Sequence, residues 1–240
     1  MTIAIVLAGG NKRIDERGVP VQFINVFDKP ILVYTLDGFQ QHPQIDAICV
    51  VCMEGWKSAV YAYGKQYNIS KLKWVFDGGE TVQTSILNGI TSLNDIADTN
   101  DIIIIHDGNR PMIDRDILTD VIRVTKKKGN AITATAFKDQ MFFVDEDDDS
   151  VTNSYVDRDT IRKVTTPQGY IYSDLIEAYS TSQSKNMIFE ANSYTDTMMA
   201  TLGKTLYFAS GSDQNIKLES RDDILLFKAL LESSQSEWIK

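Results

Sequence analysis

The sequence predicts an α/β protein with a mostly parallel, Rossmann-like sheet and helices on both faces. Short β-branched runs alternate with amphipathic stretches along the chain, which is the pattern of βαβ units. The chain has 240 residues, and a single α/β core can grow to roughly 250 residues before it divides. We therefore expect one domain over residues 1–240.

Strands are predicted where β-branched and aliphatic residues cluster between turn residues. The predicted strands are Ile3–Leu7, Ala47–Cys52, Lys73–Phe76, Asp101–His106, Ala131–Ala136 and Thr205–Ala209. The predicted helices lie near Pro30–Gln41, Trp56–Tyr67, Thr81–Leu93, Arg115–Lys127, Ser173–Ser180, Tyr194–Leu202 and Arg221–Ser233. Pro30 suits a first helical turn, and Ser220 is a cap signal for the last helix.

One segment, Lys138 to Arg158, interrupts the alternation. Two short apolar runs, Met141 to Val144 and Val151 to Val156, flank the acidic run Asp145 to Asp149. This arrangement predicts a protruding β-hairpin arm over residues 138–158, with the acidic run as a solvated turn. Because unpaired hairpin edges favour pairing with another chain, we expect a homodimer formed through this arm.

The composition excludes several classes of protein. A formal net charge of -9 argues against a broad nucleic-acid-binding surface, which needs an excess of clustered lysine and arginine. No apolar run reaches the roughly 20 residues of a membrane span, and the N-terminal strand lacks the basic flank of a signal peptide, so we expect no membrane partner and a cytoplasmic protein. Cys49 and Cys52 lie three positions apart in a predicted strand and should point to opposite faces, which suits neither a redox pair nor half a zinc site.

The segment Leu7 to Arg13 follows directly after the first predicted strand. Gly9 and Gly10 would let backbone N–H groups approach a phosphate, and Lys12 and Arg13 add positive charge beside it. The segment matches neither the GxGxxG fingerprint of dinucleotide-binding folds nor the Walker loop. Two interpretations of this segment remain open, a phosphate-binding loop and an ordinary turn.

A second candidate, His106 to Pro111, lies at the carboxyl end of the strand with four isoleucines. Open α/β sheets bind ligands at that edge, so Asp107 is placed for Mg²⁺ and Arg110 for a phosphate. The alternative is a simple ion pair between these two side chains at a strand end.

Two further segments could contribute to the same pocket. Around the turn Gly78-Gly79, backbone groups could read the edge of a flat base, with Ser85 adding a hydroxyl; an ordinary strand-to-helix turn is the alternative. Lys217 precedes the last helix and could face this pocket or solvent.

Nine short segments, taken in order, point to one family. They are Leu7 to Gly10 with Arg13, Pro20-Val21-Gln22-Phe23, Lys29-Pro30-Ile31-Leu32, Gly78-Gly79 with Ser85 and Asn88-Gly89, His106-Asp107 with Arg110-Pro111, Asp157-Arg158, Thr166-Pro167-Gln168, Thr195-Asp196, and Asn215-Ile216-Lys217. Together they resemble the cytidylyltransferase family that includes 2-C-methyl-D-erythritol 4-phosphate cytidylyltransferase and ribitol-5-phosphate cytidylyltransferase. The resemblance covers nearly the whole chain.

The resemblance implies a nucleotidyltransferase sheet and transfer of a cytidylyl group from CTP to a polyol phosphate, with Mg²⁺. The products would be a CDP-polyol and pyrophosphate, with ribitol 5-phosphate favoured and 2-C-methyl-D-erythritol 4-phosphate next. By the family's motif, Arg13 would contact the triphosphate and Lys217 the α-phosphate as catalytic residues. The implied nucleotide-binding residues are Ala8, Gly9, Gly10, Asn11, Lys12, Gly79, Glu80, Ser85 and Asp107. The implied polyol-phosphate residues are Arg110, Thr166, Thr195 and, from a partner subunit, Arg158, with Asp107 also orienting the metal.

Three positions depart from the family pattern. Asn11 replaces a glycine of the first loop, Val21 replaces a lysine that meets the α-phosphate, and Val82 replaces an arginine. Losing one preorganised cation can cost about 10²–10³ in rate. The departures leave two alternatives: an enzyme with the charge supplied from elsewhere, and a catalytically weak or inactive nucleotide-binding relative that acts as a regulatory or partner subunit. A nucleotidyltransferase for another base or sugar is a third alternative, because recognition of the base by the backbone leaves little trace in the sequence. The cations that could supply the charge are Lys12, Arg17 and Lys29.

Overall fold

The structure of the protein is a computed structural model that describes residues 1–10, 18–191 and 193–235. The strands in these ranges are β1 Thr2–Ala8, β2 Asn25–Val26, β3 Lys29–Pro30, β4 Ala47–Cys52, β5 Leu72–Asp77, β6 Ile102–Asp107, β7 Asn130–Ala136, β8 Met141–Phe143, β9 Ser154–Val156, β10 Arg162–Ile171 and β11 Phe208–Ser210. The helices are α1 Ile31–Gln41, α2 Lys57–Gln66, α3 Val82–Thr91, α4 Arg115–Lys128, α5 Tyr172–Ser184, α6 Thr195–Thr201 and α7 Arg221–Gln235. Short 3₁₀ turns cover Val21–Phe23 and Arg158–Thr160.

The main sheet has seven strands in the order β11-β7-β10-β6-β1-β4-β5. Strand β1 lies between β6 and β4 and is parallel to both, whereas β10 runs antiparallel between β6 and β7. The central strands are buried on both faces because helices cover each side, which explains their unbroken aliphatic runs. The predicted mostly parallel α/β sheet is confirmed.

Strand β10 is absent from the sequence-based prediction. Pro167 and Gly169 lie inside it, and both residues normally argue against a central strand. The strand accommodates them through a register shift between Thr165 and Gln168, where an irregular pairing needs no ladder hydrogen bond from proline. The predicted strand Thr205–Ala209 is also partly wrong, because the observed strand β11 is Phe208–Ser210.

The sheet separates two apolar layers. Cys49 belongs to the layer that contains Ile86 and Leu175, whereas Cys52 belongs to the layer that contains Leu36 and Phe39. The prediction that these cysteines point to opposite faces is confirmed, and both are free thiols.

Side-chain caps determine where the helices that frame the carboxyl edge of the sheet begin. Thr81 Oγ1 accepts a hydrogen bond from the Thr84 backbone N–H at 3.1 Å, and Thr84 Oγ1 accepts one from the Thr81 backbone N–H at 2.9 Å, which completes a capping box at the start of α3. Ser220 accepts from the Asp223 N–H at 3.1 Å and caps α7, as the sequence predicts. Helix α5 runs to Ser184, four residues beyond its predicted end at Ser180.

The arm forms as predicted, with β8 and β9 in a separate two-stranded antiparallel sheet. Its turn is closed by a hydrogen bond from the Asp145 N–H to the Val151 carbonyl at 3.0 Å. Phe142 and Tyr155 lie opposite each other and are 55% and 71% exposed. The arm therefore presents aromatic side chains to its surroundings. Among the described residues, no helix is both long and apolar enough to cross a membrane.

Candidate active site

A cleft of about 640 Å³ opens where β1, β4, β5 and β6 reach their carboxyl ends. This edge of a parallel sheet is where open α/β folds bind ligands, because the loops that follow each strand converge there. The residues that line it are Leu7, Gly9, Gly10, Val21, Gln22, Met53, Gly79, Glu80, Thr81, Val82, Ser85, Asp107, Asn109, Ala191, Tyr194, Lys217 and Glu219. Seven of the residues expected from the sequence are among them: Gly9, Gly10, Gly79, Glu80, Ser85, Asp107 and Lys217.

The first glycine loop, Gly9 and Gly10, follows β1 and forms one wall of the cleft. A Cβ atom at Gly10 would meet no atom of the described residues within 4 Å, so those residues leave the backbone there open to a ligand. The Gln22 side-chain amide fixes the loop, since its Nε2 donates to the Ala8 carbonyl at 2.8 Å and to the Gly10 carbonyl at 2.7 Å. Ala8 itself is buried. Asn11, Lys12 and Arg13, which the sequence assigns to nucleotide binding and catalysis, lie outside the described residues.

The second glycine loop, Gly78 and Gly79, follows β5 and approaches the first. A Cβ atom at Gly79 would lie 2.3 Å from Thr84 Oγ1, so glycine is required there. The Gly79 N–H donates to Ser85 Oγ at 3.0 Å, which ties the loop to the first turns of α3. The loop and the Ser85 hydroxyl thus share one wall with Glu80, the arrangement expected of a base-reading edge.

Asp107 is the charged centre of the cleft. Its Oδ2 accepts from Arg110 Nε at 2.8 Å and lies 3.8 Å from Lys217 Nζ, and its Oδ1 accepts from the Tyr194 hydroxyl. Burial alone raises the pKa of Asp107, but Lys217 and Arg110 and the hydrogen bonds from Tyr194 and Arg110 outweigh it, so the pKa lies below its ordinary value. Asp107 is therefore a carboxylate at neutral pH.

Tyr194 and Lys217 form the opposite wall. Lys217 Nζ donates to the Tyr194 hydroxyl at 3.0 Å and lies 3.8 Å from Glu219 Oε1. Burial raises the pKa of Tyr194 well above its ordinary value, and Asp107 raises it further, so the phenol stays protonated. Lys217 thus faces the pocket, which settles the alternative that the sequence left open.

The loop after β6 holds Lys217 in this place. Asn109 Nδ2 donates to the Leu218 carbonyl at 2.8 Å, and the Leu218 N–H donates back to the Asn109 carbonyl at 2.9 Å. Arg110 Nη1 donates to the Asn215 carbonyl at 2.8 Å. The side chain of Arg110 is only 14% exposed, so in this structure it forms the ion pair that was the alternative to phosphate binding.

The other expected substrate residues do not line the cleft. Thr166 is buried, and its Oγ1 accepts from the Asp107 N–H at 3.2 Å. Thr195 is buried and pairs with the Tyr179 hydroxyl at 3.0 Å. Arg158 lies at the base of the arm, where its Nη1 donates to the Lys138 carbonyl at 2.9 Å. Within one subunit, Arg158 therefore belongs to the arm and not to the cleft.

Sequence reasoning missed four residues of the cleft or its support: Gln22, Asn109, Tyr194 and Glu219. Gln22 lies in the family-like segment Pro20 to Phe23, but no sequence pattern shows that its amide reaches the first glycine loop. Tyr194 precedes the family-like pair Thr195-Asp196, and only the fold brings its hydroxyl to Asp107. The family departures Val21 and Val82 both line the cleft and pack against apolar clusters.

Over residues 1–10, 18–191 and 193–235, no three His, Cys, Asp or Glu side chains come together as a metal centre. His106 next to Asp107 is fully buried and bonds through Nε2 to the Arg110 carbonyl at 3.0 Å. Burial lowers the pKa of His106 to about 4, so it is neutral. The carboxylate of Asp107 is the most deeply buried acidic group in the cleft.

Two glycine loops that face a lysine and a buried carboxylate, at the carboxyl edge of a parallel sheet, define a nucleotide-binding enzyme of the nucleotidyltransferase class. Residues 1–233 match the family model described as IspD, 2-C-methyl-D-erythritol 4-phosphate cytidylyltransferase. The chain belongs to this family, and it is a CTP-dependent nucleotidyltransferase.

Relatives in the same family carry two names. A ribitol-5-phosphate cytidylyltransferase of Lacticaseibacillus paracasei is 45% identical over 235 residues, covering 98% of this chain and 100% of the relative. A 2-C-methyl-D-erythritol 4-phosphate cytidylyltransferase of Clostridium acetobutylicum is 30% identical over 240 residues, covering 98% and 99%. The relatives support an enzyme over the alternative of an inactive nucleotide-binding subunit.

The fold is shared with solved structures. The 4-diphosphocytidyl-2C-methyl-D-erythritol synthase of Anaerococcus prevotii DSM 20548 superposes with a TM-score of 0.82 over 96% of both chains, at 22% sequence identity. This similarity bears on the fold alone.

Proposed function

We propose that this enzyme transfers the cytidylyl group of CTP to ribitol 5-phosphate and releases CDP-ribitol and pyrophosphate. The choice of polyol is supported by the 45% identity to a protein named ribitol-5-phosphate cytidylyltransferase, against 30% to proteins named for 2-C-methyl-D-erythritol 4-phosphate. The second polyol phosphate is therefore the runner-up substrate.

One observation carries the mechanism: Lys217 and the first glycine loop line the same cleft. In the reaction, an oxygen of the polyol phosphate bonds to the α-phosphorus of CTP, and the bond from that phosphorus to the pyrophosphate oxygen breaks. Negative charge accumulates on the oxygens of the five-coordinate centre. Backbone N–H groups of the loop and the Lys217 ammonium stabilise that charge because they are already held in place.

The residues present also fit Mg²⁺, with Asp107 as its protein ligand. Mg²⁺ keeps several waters and binds through one or two carboxylates together with substrate phosphates, so Asp107 would hold the ion from the protein side and the triphosphate of CTP would supply further oxygens. When bound, the ion would neutralise charge on the triphosphate. We expect EDTA to abolish pyrophosphate release and excess Mg²⁺ to restore it, and Asp107→Asn to raise the Mg²⁺ concentration needed for half-maximal rate. Full activity in EDTA would refute this assignment.

Dimerisation through the arm is part of the same proposal. Phe142 and Tyr155 expose their rings on a hairpin outside the main sheet, and burying them against a second copy would remove apolar surface from water. Arg158 lies at the base of this arm and would then be carried toward the partner's cleft. Light scattering of a Phe142→Asp, Tyr155→Asp variant should give a smaller mass than the wild type. Ile188→Asp is the control, since Ile188 is 95% exposed outside the arm; an unchanged mass in the arm variant would refute the interface.

The substrate assignment is tested by incubating the enzyme with CTP, Mg²⁺ and either polyol phosphate while pyrophosphate is measured. We expect the larger kcat/KM with ribitol 5-phosphate. A larger value with 2-C-methyl-D-erythritol 4-phosphate would replace the first substrate by the second. Release with neither, despite CTP binding, would refute the proposed transfer.

A further inference from the structure

We propose that Tyr194 is a positioning residue that keeps the Lys217 ammonium from pairing directly with Asp107, so that the ammonium remains available to phosphate oxygens. The proposal rests on the proposed function insofar as Lys217 acts on the transferred phosphoryl group. It concerns a residue outside the nine segments of the family resemblance.

The hydrogen-bond count at the Tyr194 hydroxyl supports this role. A phenol has one proton to donate, and here it goes to Asp107 Oδ1. The same oxygen accepts from Lys217 Nζ at 3.0 Å. The Tyr194 hydroxyl therefore lies between the Asp107 carboxylate and the Lys217 ammonium and makes one hydrogen bond with each.

The distances from Lys217 to the nearby carboxylates show that it makes no direct hydrogen bond with either of them. Lys217 Nζ lies 3.8 Å from Asp107 Oδ2 and 3.8 Å from Glu219 Oε1, both longer than the 2.7–2.9 Å or so of a charge-assisted hydrogen bond. Neither carboxylate thus holds the ammonium in a direct bond. Lysine has three N–H donors, and the described contacts engage one of them, with Tyr194.

The position of the phenol is itself fixed by the fold. Gln83 Nε2 donates to the Tyr194 carbonyl at 2.8 Å, and Tyr194 is the N-cap residue of α6. The Lys217 ammonium also lies 5.5 Å from the centre of the Tyr194 ring, within reach of a cation–π interaction. The ring would remain beside Lys217 if only the hydroxyl were removed.

Removing the hydroxyl should let Lys217 move onto Asp107. Both groups lose a partner, and the attraction between opposite charges in a partly buried site favours the direct pair. The ammonium would then be less available when charge develops on the phosphoryl oxygens. Because the glycine loops are untouched, nucleotide binding should change much less than turnover.

The test compares Tyr194→Phe with Tyr172→Phe. Tyr172 is a matched control, because its buried hydroxyl also lies between two polar groups, 3.0 Å from the Ile90 carbonyl and 2.7 Å from Asn94 Oδ1, and shares its one proton with these acceptors. Tyr172 does not line the cleft. We expect Tyr194→Phe to lower kcat by about 10-fold to 100-fold, while the Kd of CTP measured by calorimetry changes by less than about threefold. Tyr172→Phe should leave both values near those of the wild type.

A double-mutant cycle separates a positioning role from a general structural one. In a Lys217→Met background, Tyr194→Phe should lower kcat by less than about twofold further, because the group it positions is gone. A wild-type kcat in Tyr194→Phe, or an undiminished effect in the Lys217→Met background, would overturn the proposal. All variants are assayed with the polyol phosphate that the wild type uses, so that the result does not depend on which polyol phosphate is the substrate. Failure of ribitol 5-phosphate would therefore refute the proposed substrate and not the role of Tyr194.

Discussion

Replacing Gln22 with methionine should weaken CTP binding, because the Gln22 amide holds the first glycine loop. Methionine keeps the length and much of the packing of glutamine but lacks the amide that donates to the Ala8 and Gly10 carbonyls. The Ala8 carbonyl retains a long contact from the Met53 N–H at 3.4 Å, whereas Gly10 lies at the cleft. The main consequence is a first glycine loop that is free to leave its binding conformation.

The magnitude follows from the two bonds that are lost. At about 1 kcal/mol net for each, their loss amounts to about 2 kcal/mol, or about 30-fold in an equilibrium constant. If the released loop must be ordered again by the nucleotide, the Kd of CTP should rise by up to about 30-fold. Calorimetric titration with CTP measures this directly.

A matched control separates the loop effect from general destabilisation. Gln40 also makes two side-chain hydrogen bonds, to Ser70 Oγ and from the Lys71 N–H, but it does not line the cleft. Gln40→Met should lower the melting temperature without changing the Kd of CTP. A Gln22→Met variant with the wild-type Kd would show that the amide does not hold the loop for the nucleotide.

Three further predictions concern the catalytic lysine, acid stability and the cysteines. Lys217→Met should lower kcat for pyrophosphate release by about 10²–10³, with a smaller change in the Kd of CTP; a loss confined to binding would contradict its role at the phosphoryl centre. Burial lowers the pKa of His106 to about 4, whereas the ordinary pKa of histidine in the unfolded chain is about 6.5. Between these two pH values the unfolded chain binds a proton that the folded protein does not. Up to about 3 kcal/mol of stability is therefore lost as the pH falls through this window. Urea unfolding at about pH 7 and about pH 4.5 should therefore show a smaller acid loss for His106→Gln than for the wild type, whereas equal losses would refute the assignment. Burial raises the pKa of Cys49 far above its ordinary value and that of Cys52 to about 11, so iodoacetamide at about pH 8 should label neither thiol until the protein unfolds; rapid labelling of native Cys52 would contradict this.

Local patterns were sufficient for the parallel core and for the edge at which the cleft lies. The aliphatic runs of β1, β4 and β6 are buried on both faces, so each is readable from its own residues. Once parallel strands are predicted, the loops after them must converge at one edge. The positions of the glycine loops and Asp107 follow from this convergence, and the hairpin arm follows from the two apolar runs that flank its acidic turn.

Strand β10 and the partners within the cleft could not be predicted in the same way. Arg162–Ile171 contains residues that disfavour a strand, and the strand depends on pairing with β6 and β7 on either side. Likewise, nothing local shows that Arg110 turns back to Asp107 and Asn215 instead of facing a phosphate. Such pairings depend on which segments meet in space.

The sequence by itself determined the class of fold, the family and the kinds of residue available for phosphate and base recognition, because these depend on periodicity and on short segments in a fixed order. Tertiary structure alone decided how the available charges are arranged. Asp107, Tyr194 and Lys217 are separated by 87 and 23 residues along the chain, yet they form one hydrogen-bonded group. The physical reason is that a lysine's availability depends on its neighbours in three dimensions, and those neighbours are set by the packing of β6, α6 and the segment before α7.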